Sequence, residues 1–172
     1  MRALFAVLVF ASSCSFPTVV PEALSSEFKP TGEVLMYNRT VSFDAVRVRS
    51  PACNLARRTD GSWGGTLNQA PLDVSVTDTR VSGVNFSITR ELSEGNKQVY
   101  TGQFQGRIYR FELDLEQAMI RAPSKSMTLP GRQVGNNQTT YGPMGNLQLR
   151  GEAGTENPPW PQFAFALMAM MH

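Results

Sequence analysis

The stretch RIYRFELDLE, Arg107–Glu116, carries Tyr109, Phe111, Leu113 and Leu115 at every second position, with Arg110, Glu112, Asp114 and Glu116 between them. Side chains of a strand alternate between its two faces, so this pattern describes a strand with one apolar and one charged face. The same rhythm runs outward in both directions. Upstream, QVYTGQF (98–104) offers Tyr100 and Phe104, GVNFSIT (83–89) offers Val84, Phe86 and Ile88, and LDVSVTD (72–78) offers Leu72, Val74 and Val76. VLMY (34–37) and TVSFDAVRV (40–48) are rich in β-branched and aromatic residues, and SMTL (126–129) and NLQLR (146–150) follow downstream. In TVSFDAVRV the apolar parity switches between Val41/Phe43 and Val46/Val48, which predicts a bulge near Asp44–Ala45.

Short alternating runs at regular spacing, bounded by Gly, Asn, Asp and Pro, predict an all-β domain. The expected architecture is an antiparallel β-sandwich or small β-barrel of about eight strands over residues 33–172. The closing run PQFAFALMAMMH (161–172) alternates Phe163, Phe165 and Leu167 with small residues. It reads as a last buried strand, with an apolar helix as the alternative because Ala, Leu and Met favour helices. Residues 130–145, PGRQVGNNQTTYGPMG, read as one long loop. Asn136, Asn137, Gln138, Thr139 and Tyr141 give it amides and an aromatic ring suited to a glycan or a peptide backbone.

The chain starts with Arg2 and an apolar run, Ala3–Ala11, followed by Ser12, Ser13 and Cys14. The run is far shorter than the roughly 20 residues a spanning helix needs and fits a secretory signal peptide over residues 1–13. Its end resembles the lipobox of bacterial lipoproteins, with Ser12 and Ser13 at the small positions and Ala11 where Leu is commonest. The resemblance covers only the first 14 residues. It implies that Cys14 becomes an acylated N-terminus, that residues 14–32, with Pro17, Pro21 and Pro30, link the anchor to the domain, and that the protein sits in the bacterial envelope, at the outer membrane. An ordinary signal peptide would instead leave a secreted or periplasmic soluble protein, in which Cys14 could pair with Cys53. With Cys14 acylated, Cys53 is a lone thiol, expected buried and inert.

Removing Arg2 leaves basic and acidic residues nearly balanced, so no nucleic-acid partner is expected. The only histidine, His172, is the last residue, which argues against imidazole-based catalysis and against a usual zinc site. No cofactor is expected. Glu112, Asp114 and Glu116 share a strand face in this reading, as a solvated surface, an oxygen-ligand metal site or a carboxylate pair for glycoside hydrolysis. Trp63 and Trp160 are expected as lids on the core.

The lipobox resemblance therefore implies a membrane-anchored envelope lipoprotein, and with no motif-based active site visible the expected role is a non-enzymatic structural or interaction module. Its expected partners are the membrane, through acylated Cys14, and an envelope protein or glycan. An apolar-ligand or lipid-binding β-barrel and a carboxylate-based hydrolase of envelope glycans are the alternatives.

Overall fold

A computed structural model describes residues 27–91 and 97–171 of the chain. The expected signal peptide, Cys14, most of the expected linker and His172 lie outside these residues. The described chain is an up-and-down meander of fourteen antiparallel strands closed into one barrel. The strands are β1 (Gly32–Met36), β2 (Arg39–Phe43), β3 (Arg47–Ser50), β4 (Cys53–Arg57), β5 (Trp63–Leu67), β6 (Ala70–Val76), β7 (Arg80–Gly83), β8 (Phe86–Glu91), β9 (Gln98–Phe104), β10 (Arg107–Leu113), β11 (Gln117–Ala122), β12 (Lys125–Gln133), β13 (Gln138–Tyr141) and β14 (Leu147–Gly151). Each pairs with its sequence neighbours, and β14 closes on β1 from Gly32↔Gly151 to Met36↔Leu147.

The all-β class agrees with the expectation; the size does not, because there are fourteen strands rather than about eight. The parity switch near Asp44 is a turn and not a bulge. The Asp44 carboxylate accepts hydrogen bonds from the backbone N–H of Val46 and Arg47, at 2.9 and 2.7 Å, and reverses the chain between β2 and β3. Strands β4, β5, β7, β11 and β13 arise from segments too short, or too rich in Gly and polar residues, to show a run of alternation. Residues 130–145 form no long loop. Strand β12 runs on to Gln133, and a turn over 134–137 leads into β13.

The lumen is filled by a helix. Helix α1 (Gln162–Met170) has every residue buried. It replaces the expected final strand. Its sequence, QFAFALMAM, contains no β-branched residue, and a helix apolar all round belongs in a core. Eight strands are about the size that side chains alone can fill; fourteen need more content, and α1 supplies it. Phe165 packs on Trp63 and Phe86, with ring centroids 5.3 and 6.0 Å apart, and Phe163 meets Tyr100 edge-on at 5.7 Å. Gly102 of β9 faces Met168, where an added Cβ would lie 2.8 Å from its sulfur, so the missing side chain admits the helix. Trp160 stacks on Tyr100 and donates its indole N–H to the Thr77 carbonyl at 2.7 Å, and Gln162 donates to the Ala45 carbonyl at 2.8 Å. These bonds fix where the helix enters.

The outer face is polar, with Ser42 on β2, Asn54 on β4, Thr66 on β5, Ser75 on β6, Gln103 on β9 and Arg110 on β10. That is the reverse of a lipid-spanning barrel, whose apolar band faces outward. No helix among the described residues is long and apolar enough to cross a membrane.

Phe165→Ala removes the ring at the centre of this packing. It should lower the free energy of unfolding by about 3–5 kcal/mol, read by urea denaturation. A loss below about 1 kcal/mol, the scale of surface changes, would mean that α1 does not fill the lumen.

Candidate functional site: the far rim of the barrel

Because the strands alternate in direction, the connections separate into two ends. At the near end the chain leads into β1, and the segment over 152–161 turns into α1. The far end carries six two-residue turns, from Tyr37-Asn38 round to Pro123-Ser124, and the longer β13–β14 connection over 142–146.

The far rim holds four of the six exposed large apolar side chains: Tyr37, Val84, Ile108 and Met144. Val84 is 85% exposed and Met144 88%. Tyr37 occupies a turn at φ 55°, a left-handed conformation that suits Gly or Asn and strains an aromatic residue. Its ring carries the Lys125 ammonium 5.6 Å from the centroid. The charge is one-sided as well. Arg39, Arg49, Arg107, Arg121 and Lys125 belong to the far half of their strands. Every described carboxylate except mid-strand Asp73 belongs to the near half or to a near-end connection. A cleft of about 520 Å³ opens on this rim, with Arg39 at its mouth and Val41, Pro51, Ala52, Ala169 and Met170 along it.

The near end is neutralised internally. Glu112 accepts from Lys97 Nζ at 2.6 Å and from Arg110 Nε at 2.9 Å, and Arg110 also reaches Glu91 at 2.9 Å. The Lys97 hydrogen bond, then that of Arg110, holds the Glu112 carboxyl down at about 2. The Thr101 hydroxyl, then Arg110, lowers Glu91. Asp44 and Arg47 form a buried pair at 2.7 Å beneath the start of α1.

The three carboxylates expected on one strand face are not on one. Glu112 alone is on β10. Asp114 turns its carboxylate onto the backbone N–H of Glu116 and Gln117, at 2.8 and 2.7 Å, and so ends the strand; Glu116 and Leu115 are exposed in that turn. Among the described residues no group of His, Cys, Asp and Glu could hold a metal ion. Asn136 and Asn137 are exposed in the β12–β13 turn, and Gln138, Thr139 and Tyr141 belong to β13. Thr139 and Tyr141 are buried, and the Tyr141 hydroxyl donates to the Asp114 carbonyl at 2.8 Å. This bond brings the two sequence-predicted clusters side by side, as parts of the barrel wall. Asn137 also lines an open cleft of about 690 Å³ at the near end, with Glu152 and Glu156. Cys53 is buried, and burial pushes its thiol up to about 12, which leaves it in the unreactive protonated form at neutral pH. Trp63 lies in the core, as expected of a lid residue, and Trp160 is partly buried against it.

Sequence reasoning missed the far rim. Tyr37 and Val84 read there as strand residues; the signal that marks them as turn residues is the asparagine directly after each. No protein-family model, no curated protein and no solved structure matches this chain.

The lowered Glu112 carboxyl sets a pH dependence. The group titrates near about 4.3 when unfolded and near about 2 when folded. Its stabilisation is therefore complete above about pH 5 and fades as pH falls through about 2. Glu112→Gln should lower stability at pH 7 by about 0.2–1 kcal/mol, as a surface ion pair does, and the gap to wild type should close by about pH 2, read from urea midpoints across that range. A gap that stays constant with pH would remove the ion-pair explanation.

Proposed function

We propose that the chain is a non-enzymatic interaction module of a bacterial envelope, tethered by an acylated Cys14, which meets its partner with the far rim. The carrying observation is that α1 fills the lumen, so recognition falls to the outer surface. The far rim is where that surface is both apolar and charged without balance. The other readings find less support. An apolar-ligand barrel needs an empty lumen. A carboxylate hydrolase needs one carboxyl raised by an apolar setting, and Glu112 is shifted the other way.

The tether suits this orientation. Glu27 and Phe28 lie at the near end. The Glu27 carbonyl accepts from Arg47 at 3.1 Å, and Phe28 packs under the guanidinium groups of Arg47 and Arg49, 5.2 and 5.0 Å from its centroid. The first described residues of the chain therefore meet the barrel wall beside β3, outside the far-end turns.

Intact mass of protein taken from membranes of a bacterial host, beside a Cys14→Ser variant, tests the anchor. The expected wild-type species starts at Cys14 and carries fatty-acyl mass that the variant lacks. A soluble wild type without added mass would overturn the anchor.

A further inference from the structure

We propose that the far rim docks onto a bilayer surface bearing anionic headgroups. The proposal rests on the reading of the rim as the recognition surface and names what it recognises. Cations set the sign of the partner. Arg39 and Arg107 are exposed and make no ion pair among the described residues, and no carboxylate sits on their half of the barrel. An approaching anionic surface therefore meets positive charge, and the one described mid-strand carboxylate, Asp73, is paired with Arg58.

The placement of the apolar residues decides between a membrane and an anionic macromolecule. Tyr37 and Met144 sit on the β1–β2 and β13–β14 connections, and Val84 sits on the β7–β8 turn. In the closed strand order β7–β8 lies across the barrel from β14–β1. A protein partner buries a contiguous patch with an apolar centre. Here the apolar tips stand apart on opposite sides of the rim, with cations between them. A bilayer interface touches both sides at once, taking apolar tips below the headgroups while the cations stay among them. The strained Tyr37 turn fits this reading, because such outliers collect at functional positions. The cleft beside Arg39, with Ala169 and Met170 along it, adds apolar surface at the same level.

The tether permits the contact with the anchoring membrane itself. Twelve residues lie between Cys14 and Glu27, and the stretch can span at most about 45 Å. The seven residues of β9 span roughly 23 Å at about 3.3 Å each, so the linker can pass the whole barrel and the far rim can turn toward the bilayer.

The test uses the full chain with Cys14→Ser, which cannot be acylated, and co-sedimentation with vesicles of phosphatidylcholine alone or mixed with phosphatidylglycerol. The expected result is stronger binding to the mixed vesicles than to phosphatidylcholine alone, with the difference weakened by added salt. At about fivefold per cation near a charged surface, Arg39→Ser with Arg107→Ser should cut partitioning roughly 25-fold. Val84→Asn with Met144→Asn should also cut it. Arg57→Ser with Arg132→Ser, an equal charge loss at the near end, should change it less than about twofold. Circular dichroism checks that all variants fold. The leader segment is common to every protein compared, so its own affinity cancels. Equal losses from the two arginine pairs would show a net-charge effect without a docking rim and overturn the proposal. So would a parent that ignores both kinds of vesicle, which would direct the rim to an anionic protein or glycan. Acylation is read separately on the wild type, so failure of the anchor and failure of the docking rim are told apart.

Discussion

The packing of α1 against the inner wall is the interaction on which the rest of this structure depends. Fourteen strands of four to nine residues make a wide, low cylinder. Its inward side chains leave a central space, and an empty apolar lumen would cost both hydrophobic burial and dispersion contacts. A nine-residue helix without a charged residue occupies that space. Phe163 and Phe165 reach different strands of the wall, toward Tyr100 and toward Trp63, and Met168 uses the opening at Gly102. So short a helix would be marginal alone in water; here tertiary packing holds it. The barrel and the helix each need the other.

A filled lumen moves function to the outside. The walls are polar, and the two ends differ in charge. At the near end, Lys97, Glu112, Arg110 and Glu91 pair in a chain across β8 to β10, and Asp44 with Arg47 secures the site where α1 enters. These charges neutralise one another locally. Among the described residues the far half of the strands carries cations and no carboxylate beyond mid-strand Asp73, set among apolar turn tips. The molecule is thus polarised along its axis although its net charge is small. The described chain enters β1 from the polar, neutralised end.

The strand chemistry of this fold was legible wherever alternation persisted for several residues. Strands β6, β8, β9 and β10 stand where Leu72, Phe86, Tyr100 and Phe111 placed them. What escaped was short or locally directed. Strand β5, WGGTL, has two glycines at its centre, and β7, RVSG, buries only Val81, so neither shows a period. The Asp44 and Asp114 turns are set by a side chain capping the backbone, and hydrophobic pattern carries no trace of that. In the C-terminal run a helix buried on all sides and a strand present the same apolar string, and only the lack of β-branched residues separates them. Tyr141 read as a loop residue because Gly and Pro surround it, yet its ring is buried in the wall. Of the carboxylate cluster, only Glu112 kept the outward strand position expected of it. The far rim was hidden because its apolar residues lie beside strands and so read as core.

Amide hydrogen exchange across α1 tests the central claim most directly. If the helix is the content of the barrel, the amides of Phe165 to Met170 exchange in the slowest class, together with those of β9 and β10, and are released only by global unfolding. If they exchange as fast as the turn amides at Asn38 and Asn85, the helix is not held in the lumen, and an open apolar chamber would have to replace the far rim as the centre of the account.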